Sequence, residues 1–204
     1  MRLLTTTGTA LALGLALSGC SLGGMLGGGG KAPTTLVTLT PEAAEPATLV
    51  RSAAASQAVT VMVPTVPKEL AAVRVPVQVN YVDVQYVTNV QLVDTPDRLF
   101  QRLLSETIRR TTNRVVLDPN QASLDPGLVV TGMLQRFGYD AGSGQVIVTY
   151  DASLSTAGGN RVETRRFTAS APADGTAATV PAALNRAANQ VALDVAKWVG
   201  SSGA

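Results

Sequence analysis

One cysteine, no histidine and two Tyr-Asp dipeptides make up most of the reactive inventory of this 204-residue chain. Cys20 is its sole thiol, so no intrachain disulfide can form. A thiolate is a nucleophile, but Cys-His and Ser-His-Asp catalytic systems cannot be assembled without histidine. Zinc sites of the usual Cys/His kind are excluded on the same ground. Paired carboxylates remain available for acid–base work, and Tyr139-Asp140 and Tyr150-Asp151 recur eleven residues apart. Asp140, however, opens Asp140-Ala141-Gly142-Ser143-Gly144, where a turn is the simpler use of an aspartate. The expectation is a protein that is not an enzyme and has no metal site or catalytic cofactor.

The setting of Cys20 says what its thiol is for. Met1-Arg2 gives a positive start, Leu3 to Leu17 an apolar run, and Leu17-Ser18-Gly19 leads directly into the cysteine. A charged start, an apolar stretch and small residues before a cut site describe a secretory signal peptide. The run is too short, and too interrupted by Thr and Gly, to span a bilayer as a helix. The tetrad Leu17-Ser18-Gly19-Cys20 resembles the lipobox of bacterial lipoproteins. That resemblance implies cleavage between Gly19 and Cys20, a diacylglyceryl group on the thiol and an acyl chain such as palmitate on the new amine. Each buried methylene contributes about 0.8 kcal/mol and a single chain anchors only marginally, so two or three chains on one residue make a durable anchor.

Removing residues 1–19 takes 204 residues to 185 and the 16 basic side chains to 15, against 14 acidic ones. This is one domain of ordinary size, long enough to bury a core. The charge is nearly balanced and no Lys/Arg run alternates with aromatics, so nucleic acid is not an expected partner. Residues 20–33 are Gly-rich and read as a flexible tether, about 20 Å end to end as a coil and about 45 Å pulled straight. The domain itself is expected over residues 34–200, with 201–204 as a frayed tail.

The elements that must organise this domain follow from periodicity. Thr34–Thr40 reads as a strand, 41–56 as a loop, and Val59–Val63 as a second strand. Val75, Val77 and Val79, then Val82, Val84 and Tyr86, alternate as two short strands, with Pro76 best placed on an edge. The Val/Tyr-rich stretch from Val73 to Val93 is either core or an exposed apolar edge for a partner strand or a lipid chain. Thr95-Pro96-Asp97 starts a helix to about Thr112, with Leu99, Phe100, Leu103, Leu104 and Ile108 inward. Arg114–Leu117 is a further β-run. Gly127–Tyr139, Gln145–Leu154 and Arg161–Ala171 are three long alternating segments joined by turns, which predicts a hairpin meander. A last helix over Pro181–Val199, capped by Thr179, buries Leu184, Ala188, Val191, Val195 and Trp198 and turns Asn185, Arg186, Asn189, Asp194 and Lys197 to water. The fold class is α+β: a mainly antiparallel sheet with two long helices packed on one face.

The run Val93-Asp94-Thr95-Pro96-Asp97-Arg98-Leu99-Phe100 is similar to the auxiliary lipoproteins of ABC-type transport systems, the PqiC-like proteins among them. So are Phe137-Gly138-Tyr139-Asp140-Ala141, Val162-Glu163-Thr164-Arg165-Arg166-Phe167, and Ala183-Leu184-Asn185-Arg186-Ala187-Ala188-Asn189 through Trp198. Leu92 stands where a Trp is common in that family. The resemblance implies a fold like the N-terminal domain of TolB and a non-catalytic role beside an MCE-domain protein, an ABC permease and its ATPase. Such systems move lipids or other hydrophobic molecules across the cell envelope. It further implies a periplasmic face and a membrane held through the lipid anchor, and it allows a homo-oligomer. Ser21 is not the Asp that retains lipoproteins at the inner membrane in enterobacteria, which points to the outer membrane. A lipid-carrying binding module and a structural or assembly lipoprotein are the alternatives.

Among charged residues, Arg109, Arg110 and Arg114 cluster around the end of the first helix. They either complement the helix C-terminus or meet acidic partner residues or phospholipid headgroups. Arg165 and Arg166, adjacent on a strand, must point to opposite faces.

Overall fold

The computed structural model describes residues 35–46, 58–120, 127–155 and 161–202. Among them the elements run β1 (Val59–Val61), β2 (Pro76–Gln78), β3 (Val84–Tyr86), α1 (Pro96–Thr111), β4 (Val116–Leu117), β5 (Leu128–Asp140), β6 (Gln145–Ser155), β7 (Val162–Pro172) and α2 (Val180–Ser201).

The three long alternating segments become β5, β6 and β7, an antiparallel meander in which Leu134, Tyr150 and Phe167 fall in register across the strands. Alternation puts Val146, Val148, Tyr150, Ala152 and Leu154 of β6 on one buried face, as period two requires. A bulge between Leu134 and Arg136 inserts one residue into β5. It moves the buried set from Leu128, Val130 and Leu134 to Phe137, because an extra residue exchanges the two faces.

The sheet is mixed, not mainly antiparallel. β1 pairs in parallel with both β4 and β5, and β2 pairs in parallel with β5; only β2–β3, β5–β6 and β6–β7 are antiparallel. β1 and the β2–β3 hairpin lie end to end along one side of β5, at Leu128–Val130 and Tyr139–Asp140 respectively. Parallel neighbours need a crossover, and α1 lies within it. Pro76 is therefore on an interior strand and not an edge, which it tolerates as the first residue of β2.

Both helices cover the same face. Phe100 of α1 packs on Tyr150 with ring centroids 5.0 Å apart, and Trp198 of α2 packs on Phe167 at 5.6 Å. Tyr150 and Phe167 are register partners. The predicted stripe of α1 is buried, each such side chain contributing about 1.5–3 kcal/mol. Ala183, Ala187, Ala188, Ala192 and Ala196 are buried on α2, small residues that let the helix lie close to its neighbours. Thr95 and Thr179 hold the N-cap positions, but neither side chain caps its helix. Asp94 instead accepts from the Thr95 N–H at 2.8 Å, and Thr179 Oγ1 donates to Asp174.

Two end segments differ from expectation. Of the strand expected over Thr34–Thr40, Thr34 lies outside the described residues and residues 35–40 form no strand: they make one parallel bridge, Val37 to Leu92, and the chain then crosses the helices. α2 runs to Ser201, one residue into the expected tail. The Ser201 and Ser202 hydroxyls donate to the Trp198 carbonyl at 2.9 and 2.8 Å, and Arg114 Nε to that of Val199 at 3.1 Å.

Candidate functional site

Cys20 and its neighbours Leu17, Ser18 and Gly19 lie outside the described residues, as does the stretch read as a tether. The three candidate arginines are inside them, and each has work within the fold. Arg110 Nε donates to Glu106 at 2.7 Å and its Nη1 to the Ala43 carbonyl at 3.0 Å, while Arg109 pairs with the same Glu106. The hydrogen bond from Arg110, helped by Arg109, holds the Glu106 carboxyl below its ordinary value against the opposing pull of burial. Arg114 braces the end of α2 through the carbonyls of Val199 and Ser202. Their positive charge thus complements helix C-termini and ties neighbouring segments together.

The two Tyr-Asp dipeptides diverge. Asp140 turns the β5–β6 hairpin, accepting from the Ser143 N–H and Oγ at 2.8 Å each, with Arg136 at 2.6 Å. Asp151 lies mid-strand, bound by Arg166 at 2.6 and 2.7 Å and by Gln135 at 3.1 Å. Both carboxyls are held low, Asp140 chiefly by Ser143 and Asp151 chiefly by Arg166. Tyr150 is buried, its hydroxyl donating to the Thr131 carbonyl at 2.9 Å, and burial pushes that phenol up. Arg165 lies over the Trp198 ring at 5.5 Å while Arg166 turns to Asp151, so the two adjacent arginines do take opposite faces. No three of His, Cys, Asp and Glu converge among the described residues.

Residues 38–43 form a strap over the helices that periodicity did not disclose. The strap follows Val37, whose N–H donates to the Gln91 carbonyl at 2.8 Å and whose carbonyl accepts from the Val93 N–H at 2.9 Å. Thr40 N–H then donates to Asn185 Oδ1 and Glu42 N–H to Asn189 Oδ1, each at 2.8 Å. Asn189 Nδ2 returns bonds to the carbonyls of Thr40 and Asn185 at 2.9 Å each. Asn189, expected to face water, is only 6% exposed. A groove of about 530 Å³ runs beside the strap, lined by Leu39, Leu99, Leu103, Arg102, Glu106 and Arg109 among others.

The Val73–Val93 stretch is both core and surface. Val75, Val87, Val90 and Leu92 are buried, whereas Val79, Tyr81, Val82, Val84 and Val93 are exposed. At the β2–β3 tip, Asn80 Oδ1 accepts from the N–H groups of Val82 and Asp83 at 2.9 and 3.0 Å. Its Nδ2 donates to Asp83 Oδ2 at 2.6 Å, its carbonyl accepts from Gln78 Nε2 at 2.5 Å, and Val79 N–H donates to the Asp83 carbonyl at 3.0 Å. This Asx-type turn holds Tyr81 fully exposed and Val82 at 84% exposure. A cleft of about 550 Å³ separates it from the β5–β6 turn, with Val79, Tyr81, Arg136 and Asp140 on its walls.

No helix among the described residues is long and apolar enough to cross a membrane. Residues 38–196 match the model of a family described as the ABC-type transport auxiliary lipoprotein component. None of the curated proteins matches the chain. The fold is similar to the crystal structure of a DUF330 protein, XCC0632 from Xanthomonas campestris, with 18% identity and a TM-score of 0.65 over 82% of this chain and 93% of that one. It is also similar to that of an uncharacterized protein, with 14% identity and a TM-score of 0.59 over 81% of this chain and 99% of that one.

Proposed function

Because the chain belongs to the ABC-type transport auxiliary lipoproteins, we propose that it is a non-catalytic, lipid-anchored subunit that docks onto other proteins of its transport system. Its anchor is Cys20, acylated after cleavage at Gly19, and its place is the periplasmic face of the envelope. Ser21 favours the outer membrane. The partner it docks to is an MCE-domain protein working with an ABC permease and ATPase, and the cargo is a lipid or another hydrophobic molecule. A kinship with the N-terminal domain of TolB belongs to this reading and is supported by the sequence resemblance.

The observation that carries the reading is the unbroken family match from Thr38 to Ala196. It takes in the strap, the mixed sheet and nearly all of α2, the strap being bound to α2 by the Asn185 and Asn189 contacts. The test is affinity purification of the full, lipidated chain from native membranes in mild detergent. Co-purification of the MCE-domain protein is the expected result; its reproducible absence overturns the docking role.

The groove beside the strap favours a second reading, in which the domain itself carries a lipid. Its volume of about 530 Å³ falls within the range of about 300–1,000 Å³ usual for small-molecule sites. Arg102, Glu106 and Arg109 line it, which suits a headgroup better than an acyl chain. Native mass spectrometry of the protein lacking residues 1–20 decides between the two: a retained lipid supports carriage, and bare protein excludes it.

A further inference from the structure

The β2–β3 tip is built as a docking element. Four of the nine exposed large apolar side chains among the described residues, Val79, Tyr81, Val82 and Val84, fall within six consecutive positions. A loop that displays Tyr and Val to water loses solvation free energy that ordinary turn residues would not. This one is also stiffened, since Asn80 and Asp83 fix its backbone through the bonds described above. A preorganised loop loses little conformational entropy when it binds, and an exposed Tyr on such a loop is the kind of anchor that dominates interface energies.

Charge identifies the kind of surface that receives it. The tip is joined to the β5–β6 turn by the bond from Ala141 N–H to the Gln78 carbonyl at 2.9 Å, and that turn to Asp174 through Ala173 N–H and the Gly144 carbonyl at 3.2 Å. Asp83, Asp140 and Asp174 lie on these turns, Arg136 beside them pairs with Asp140, and Glu69 lines a neighbouring pocket with Gln78 and Arg136. Among the described residues Asp83 and Asp174 have hydrogen-bond partners but no ion pair, so the surroundings of the aromatic tip are acidic. An anionic bilayer surface attracts cationic segments and repels this one. We propose that Tyr81 and Val82 insert into an apolar socket rimmed by Lys or Arg on the MCE-domain protein of the transport system. The inference rests on the docking role proposed above and names the surface that performs it.

The test places a photoreactive phenylalanine analogue at Tyr81, and separately at the exposed Thr164 of β7, in full-length protein made in cells that contain the transport system. Illumination is expected to join position 81 to the MCE-domain protein at least tenfold more than position 164. Tyr81→Ser with Val82→Ser should weaken association with that protein by at least tenfold while leaving the thermal midpoint unchanged, since neither side chain is packed. Asp83→Asn should reduce the salt dependence of binding. Adducts with phospholipid, with a second copy of the chain or with a protein outside the system overturn the inference, as does association within twofold of wild type in the double variant. If the MCE-domain protein co-purifies but position 81 yields no adduct, the tip is not the docking surface and the docking role stands. If it neither co-purifies nor crosslinks, both fall.

Discussion

Asn189 shows how much a single side chain holds in this fold. Its amide accepts from Glu42 and donates to Thr40 and to Asn185, using three of its four hydrogen-bonding sites. Asn189→Ala removes all three bonds and strands a backbone N–H and a carbonyl under the strap. A loss of about 2–3 kcal/mol is expected, measured by chemical denaturation. Helical periodicity put Asn189 on the watery side, because a polar residue beside Asn185 and Arg186 extends a polar stripe. Its partners are backbone atoms 147 and 149 positions earlier, and no local pattern in α2 announces them. Arg165 and Arg166 were legible because the alternation that separates them is local. Gly132 was not singled out, yet a Cβ there would lie 2.7 Å from the Tyr150 ring. Gly132→Ala is expected to destabilise by about 1–3 kcal/mol through overpacking, visible as a lowered denaturant midpoint with an unchanged slope.

At the scale of elements, α1 and the long strands were readable because burial writes itself into the 3.6- and 2-residue periods. The pairing of those strands was not. Val59–Val61 presents the same apolar run whether it joins β5 in parallel or antiparallel, and its bridge to Leu128–Val130 is settled only once α1 has carried the chain over the sheet. The last turns of α1 also set an acid response. Glu106 is held below 4.5 by Arg110 first and Arg109 next, so its folded carboxyl stays ionised where the unfolded one protonates. Its contribution is whole above pH about 4.5 and is lost as pH falls through the folded value. Asp140 and Asp151, lowered from 3.8, and Asp174, lowered to about 2, act in the same sense in a still more acid range. Stability measured from pH 7 to pH 2 should therefore fall on the acid side in wild type. In Glu106→Gln it should start lower at neutral pH and fall less steeply between pH 5 and 3. Equal slopes in the two proteins would remove the ion pairs from the account.

On the scale of the whole molecule, the proposed anchor residue Cys20 precedes Val37, the residue that bridges Leu92, along the chain. Seventeen residue steps separate them, which permits a separation of at most about 60 Å. Acylation of Cys20 would confine the domain to a thin layer beside the bilayer, where a modest affinity for a membrane-bound partner suffices, because tethering raises the effective concentration. Cys20→Ser removes the thiol that lipid attachment needs and leaves residues 35–202 untouched. The variant should be recovered in the soluble envelope fraction with the thermal midpoint of the lipid-free wild-type domain. Photo-crosslinking from position 81 should drop sharply in that variant. It should return when the same chain is fused to an unrelated membrane anchor, since the anchor supplies proximity and the tip supplies recognition. A Cys20→Ser protein that stays on membranes lacking the MCE-domain protein would show that something other than acyl chains holds it there, and the confinement argument would fail with it.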